Sequence, residues 1–99
     1  MHYLLFYDLV DDYTERRTAH RAEHLKLARE AERRGELVLG GALADPPDTG
    51  ILLFRGESPG VAERFAAADP YVTNGIVRRY WIRQWTTVVG EAAEHPVPG

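Results

Sequence analysis

The sequence contains no cysteine. Disulfides, zinc–thiolate sites and thiol nucleophiles are therefore excluded, and the redox compartment is not readable from cysteine use. Long apolar runs are missing too, and nothing approaches the roughly 18 residues of a membrane span. The amino terminus, Met1-His2-Tyr3-Leu4, lacks a basic region followed by a cleavage site. No signal peptide is expected, and the cytoplasm is the default location. There is no G-x-S-x-G, no dinucleotide fingerprint and no P-loop, so serine-hydrolase and nucleotide chemistry have no foothold. An excess of basic residues is also lacking. The formal net charge of -3 argues against broad binding to phosphate backbones, and neither nucleic acid nor membrane is expected as a partner. Internal repeats and low-complexity stretches are absent.

What is present is 99 residues, 44% hydrophobic and 27% charged. That suits one globular domain with a modest core, which self-association would help. Residues 3 to 10 are almost continuously apolar and aromatic, as in a strand buried on both faces. Asp11-Asp12-Tyr13-Thr14 interrupts it. Thr14 is an expected N-cap, and residues 15 to 34 carry neither Pro nor Gly and predict one long helix, ended by Gly35. A second strand follows over 36 to 43, where Gly40-Gly41 points to a bulge or a close backbone approach. The turn cluster 44 to 50 leads to a third strand over 51 to 55. Ser58-Pro59 reads as N-cap and N1 of a second helix with Val61, Phe65 and Ala68 on its buried stripe. That helix stops at Asp69, because the residue before Pro70 is steered away from the α region. A turn through Gly75 opens the last strand, 76 to 88, and the domain spans 1 to 90. The tail 91 to 99 has no pattern and reads as an arm.

The order strand–helix–strand–strand–helix–strand is the ferredoxin-like arrangement: a four-stranded antiparallel sheet with two helices on one face, an α+β fold. Apolar residues adjacent in pairs, such as Leu5-Phe6, Leu52-Leu53 and Trp81-Ile82, give strands that are apolar on both faces. Helices cover only one face. A second copy of the chain is the expected cover for the other, which predicts a homodimer.

The first helix carries the polar signal. At about 100° per residue, Leu27, Ala28 and Ala31 fall within roughly 60° of His24, and so do Arg17, His20 and Arg21. A helix that only packed would prefer Leu or Ala at those four polar positions. Two His and two Arg there imply a polar cavity between the first turns and the sheet. The ordinary alternative is that the Arg stems snorkel and His24 is a satisfied core or rim histidine. His20-Arg21-Ala22-Glu23-His24 also fits the letter pattern of inverted zinc proteases. With no evident third ligand, a chance i, i+4 pair is the better explanation, and no metal is expected.

Together these pieces resemble a known family. Arg21-Ala22-Glu23-His24-Leu25, Leu39-Gly40-Gly41-Ala42-Leu43, Asp69-Pro70-Tyr71-Val72 with Gly75, and the strand ending Trp85-Thr86-Thr87-Val88-Val89-Gly90 are similar to YciI-like proteins, the YCII-related domain family. The resemblance runs from residue 3 to about 90. Gly41-Ala42 stands where many relatives have Gly-Pro, a departure that bears on local strand geometry alone. The resemblance implies a dimeric α+β barrel and an acid–base pair of His24 and Asp69 in a pocket between sheet and helices. One characterised type in the family is a dehydrochlorinase acting on a chlorinated hydroxyquinol. Muconolactone isomerases and cofactor-free monooxygenases share the fold more distantly.

An imidazole near pH 7 can take a proton from an acidic carbon or phenol and return it elsewhere, and a carboxylate in reach fixes its tautomer. The economical expectation is cofactor-free proton transfer on a small aromatic or phenolic metabolite: elimination or isomerisation, of lyase or isomerase type. Arg17 and Arg21 could hold an anionic oxygen, with His20 beside them on the same stripe. Tyr7, Tyr71, Tyr80 and Trp81 could line an aromatic pocket, although each such residue is more often plain core. Asp8 is a second carboxylate for His24 or a strand-end residue. Two other readings stand beside the enzyme: a pocket that binds a metabolite without chemistry, and a cofactor-free oxygenase by analogy of fold.

Overall fold

Strand β1 (His2–Leu9) takes a central place in the sheet, as its nearly unbroken apolar sequence requires. It pairs antiparallel with β3 (Thr49–Arg55) on one side and with β4 (Val77–Trp85) on the other. Strand β2 (Leu37–Ala42) adds to the outside of β3, so the sheet order is β2-β3-β1-β4. Helices α1 (Tyr13–Arg16) and α2 (Arg21–Arg33) connect β1 to β2, and α3 (Gly60–Ala68) and α4 (Pro70–Thr73) connect β3 to β4. This is the ferredoxin-like α+β architecture. The computed structural model describes residues 1–98, so Gly99, in the tail expected over 91–99, lies outside the described residues.

Side chains alternate across a strand, so β1 shows one residue set to each face. Tyr3, Leu5, Tyr7 and Leu9 face the helices and are buried with Phe54, Ala31, Val61 and Phe65. Leu4, Phe6 and Asp8 face the other way and are only half-buried. That second face carries Ile51 and Leu53, Trp81 stacked on Phe6 at 5.3 Å, and exposed Trp85 and Leu39. The expectation that β1 is buried on both faces therefore fails within one chain: an apolar sheet face is left open.

The long helix is broken. Residues 17–19 form a 3-10 turn, and His20 leaves helical geometry at φ -121° and ψ 0° before α2 begins. No Gly or Pro marks the break. Tyr13 is drawn into the core, edge-on to Tyr71 at 6.0 Å, and that anchoring overrides the propensity for a continuous helix. Asp12, not Thr14, holds the N-cap position of α1. The end of α2 is as expected: Gly35 has φ +79°, and the Gly35 and Glu36 amides donate back to Glu32 and Ala31. At α3 the cap shifts by one residue. Pro59 is the N-cap, and Ser58 Oγ accepts from the Gly60 amide at 3.2 Å. Ala62 and Ala66 complete its buried stripe, whereas Ala68 is exposed.

The last strand ends at Trp85 rather than 88. The chain beyond it folds back instead of leaving as an arm. Thr87 Oγ1 lies 2.8 Å from Nδ1 of the buried His2, and Glu94 meets Arg55 at 3.2 Å and the N-terminal ammonium at 3.0 Å. The ammonium first, then Arg55, holds the Glu94 carboxyl below the usual carboxylate range.

Candidate active site

Asp69 is where two pieces of local chemistry meet. Pro70 forces it into extended geometry, ψ 121°, and this ends α3. The same geometry suits an N-cap, and its Oδ1 accepts from the Tyr71 amide at 3.0 Å to start α4, with Pro70 in the first turn. The carboxylate is thereby fixed in a fully buried position. Its Oδ1 also lies 2.9 Å from His24 Nδ1, and Tyr7 Oη donates to Oδ2 at 2.7 Å. Burial first, then the charge of Asp69, pushes the pKa of the Tyr7 hydroxyl far above its ordinary value, so it keeps its proton. It is a permanent donor. The Tyr71 amide is another, so Asp69 is surrounded by donors and acts as acceptor. His24 then donates from Nδ1, and Nε2 has no hydrogen-bond partner among the described residues.

The imidazole is held on its faces as well. Tyr71 stacks on it at 3.8 Å with the planes 5° apart, and Phe65 approaches edge-on at 6.4 Å. Beside this ring opens a cavity of about 540 Å³. Arg17, Arg21 and His24 line its helix side, Tyr7, Tyr13 and Tyr71 its inner end, and Leu37, Gly40, Ala42, Gly50 and Leu52 its sheet side. Arg17 Nη1 donates to Tyr13 Oη at 3.2 Å. Among the described residues, the buried Tyr71 hydroxyl has no hydrogen-bond partner. Burial raises its pKa first, Tyr13 adds to this, and the Arg21 and Arg17 charges oppose it. The cavity thus has a basic ring nitrogen, a cationic wall and an apolar floor. Such a site can bind an acidic oxygen and move a proton.

The sequence-predicted residues divide by sheet face. His24, Asp69, Tyr7, Tyr71, Arg17 and Arg21 converge on one site. His20 sits half-buried at the junction before α2 and does not line the cavity, because the break turns it away from the stripe. Asp8 does not reach His24. It follows Tyr7 in the strand and so points to the opposite face, where it pairs with Arg79 at 3.5 Å and Arg78 at 3.7 Å. Trp81 is on that face too, stacked on Phe6 with Arg79 above it at 5.2 Å. Tyr80 packs edge-on to Tyr7 at 6.4 Å, outside the cavity lining. Sequence reasoning missed Tyr13 and Gly50. Tyr13 stands four residues before Arg17, and that i, i+4 spacing was the available signal. Gly50 pairs with Tyr7, and a Cβ there would come within 3.2 Å of Tyr7 Cβ. Nothing in the turn cluster announces that contact.

Residues 1–86 match the family model of the YCII-related domain. The chain belongs to this family. No curated protein matches this YCII-domain chain in sequence. Among solved structures it is similar to 5-chloro-2-hydroxyhydroquinone dehydrochlorinase (TftG) from Burkholderia phenoliruptrix, in complex with 2,5-dihydroxybenzoquinone. The TM-score is 0.74 at 17% identity, over 95% of this chain and 100% of that one. It is also similar to a NIPSNAP family protein from Agrobacterium tumefaciens, with TM-score 0.58 at 13% identity over 94% and 95% of the two chains. A NIPSNAP domain protein from Burkholderia xenovorans gives TM-score 0.53 at 13% identity over 92% and 94%. At these identities the likeness is one of fold.

Proposed function

We propose that this protein is a small cofactor-independent enzyme whose His24 moves a proton on a phenolic or otherwise acidic aromatic metabolite, in an elimination or isomerisation. The observation that carries the reading is the 2.9 Å contact between His24 Nδ1 and a buried carboxylate. It commits one ring nitrogen to the protein and leaves the other as a base beside the cavity. In an elimination, Nε2 takes a proton from the substrate, the freed electron pair expels the leaving group, and Asp69 faces the positive charge that forms on the ring. In an isomerisation, the same nitrogen returns the proton to another atom. Arg17 and Arg21 supply fixed positive charge for the oxygen on which negative charge builds up. The family and the dehydrochlorinase activity of TftG support this class of chemistry.

The test is a screen of halogenated and unhalogenated hydroxyquinols in D2O, following chloride release and deuterium incorporation. Catalysed release or exchange above the buffer rate is the expected result. Saturable binding with neither would favour a metabolite-binding module.

A homodimer belongs to the same proposal. The open sheet face, with Leu4, Phe6, Ile51, Leu53 and the exposed Trp81 and Trp85, is broad and apolar, and a second copy would cover it. Light scattering at micromolar concentration is expected to give twice the chain mass of 11.2 kDa. A monomer mass there would remove this part of the reading.

A further inference from the structure

The floor of the cavity is set by an irregularity in β2. Leu37 pairs with Phe54, but the next pairs are Leu39 with Leu53, Gly40 with Leu52 and Ala42 with Gly50. One residue, Val38, is extra: a β-bulge. Directly paired residues share a face, and Phe54, Leu52 and Gly50 lie on the helix side, opposite Tyr3, Leu5 and Tyr7. Gly40 and Ala42 therefore face the cavity, while Leu39 lies on the outer face with Leu53. In an unbulged strand, alternation from Leu37 would put Leu39 and Leu43 on the helix side. The bulge puts a glycine and an alanine, in place of two leucines, on the helix-side face, while Leu39 and Leu43 also border the cavity. The glycine pair thus sits next to the bulge, not in it.

Nothing inside the chain demands glycine at 40. It is not among the residues with positive φ, and a Cβ would meet Leu52 at an ordinary 3.4 Å. A glycine in a strand costs stability. Gly40 and Ala42 are exposed although they lie on the face the helices cover, because only the cavity stands above them.

We propose that the small residues Gly40 and Ala42 are the specificity-determining floor of the site, kept bare so that a planar aromatic ring can lie flat on β2 with its ionised oxygen at Arg17 and Arg21. This rests on the proposed function for the identity of the site, but binding tests it without turnover. A flat backbone surface next to Leu37 and Leu52 fits a ring.

The experiment is a titration with 4-hydroxybenzoate, followed by NMR and calorimetry, on wild type, Gly40→Ala, Gly40→Val and Gly40→Leu, with a melting curve for each. The ring probe is expected to bind progressively more weakly, at least tenfold by the leucine variant. The melting temperature should hold or rise, since strands favour side chains over glycine. Acetate, which needs only the arginine end, should shift the Arg17 and Arg21 signals equally in all four. If Gly40→Leu melts early, Ala42→Val is read by the same criteria. Unchanged ring affinity in the enlarged variants overturns the proposal, as does a wild type that does not bind 4-hydroxybenzoate. Failure of the catalytic reading looks different: ring binding intact and sensitive to Gly40, with no turnover of any phenol.

Discussion

Replacing His24 by alanine is expected to lower turnover about 10²–10⁴-fold, the range that a positioned acid–base group contributes, while leaving the fold in place. The second half of this expectation follows from what Asp69 retains. The variant removes one donor, but the Tyr71 amide at 3.0 Å and the Tyr7 hydroxyl at 2.7 Å still satisfy the carboxylate. The loss of one hydrogen bond and of the stack on Tyr71 should cost about 1–2 kcal/mol, within the stability of a typical domain. His24→Asn separates position from chemistry. Its side-chain amide can donate to Asp69 Oδ1 from near the place of Nδ1, but it has no basic nitrogen for the cavity. It should be more stable than His24→Ala and equally inactive. Steady-state rates and urea unfolding on the same preparations check both statements. Full turnover in either variant would remove His24 from the mechanism.

The fold was legible in the order of elements, because hydrophobic periodicity switches between strand and helix at clear Gly and Pro boundaries. The candidate pair was legible for a different reason. The polar half-stripe on the first helix pointed to a cavity, and the resemblance joined His24 to Asp69. Spacing alone does not bring together residues 45 positions apart. What stayed hidden was decided by packing. Tyr7 and Asp8 are neighbours in a strand apolar on both sides, so periodicity could not say which of them faces inward. The structure turns Tyr7 to the carboxylate and Asp8 to Arg79. Tyr7 therefore matters through its hydroxyl more than through its ring. The bulge at Val38 carries no Gly, Pro or Asn, and the glycines beside it drew the expectation to the wrong residues. The break at His20 is of the same kind: a buried Tyr13 outweighs about twenty residues of good helix formers.

Asp69→Ala is expected to damage stability and activity together, and the stability loss should be the larger one measured in this site. Three groups depend on this carboxylate. The Tyr71 amide loses its cap, at about 0.5–2 kcal/mol. The Tyr7 hydroxyl, in a fully packed position, is left without an acceptor, at about 1–3 kcal/mol. His24 loses the group that sets its tautomer. A total near 2–4 kcal/mol is expected from urea unfolding, with turnover reduced as far as in His24→Ala. The Tyr7 share can be isolated. Removing both members of a buried pair costs less than removing one, so Tyr7→Phe should be destabilising in the wild type yet neutral or stabilising in the Asp69→Ala background. Asp69→Asn should restore the cap and most of the stability without restoring turnover, since an amide brings no charge to face the imidazolium. An Asp69→Ala protein within 0.5 kcal/mol of wild type would mean that the helix cap, the tyrosine and the histidine do not depend on this one side chain. The fixed tautomer and orientation of His24 beside the cavity would then lose their physical basis.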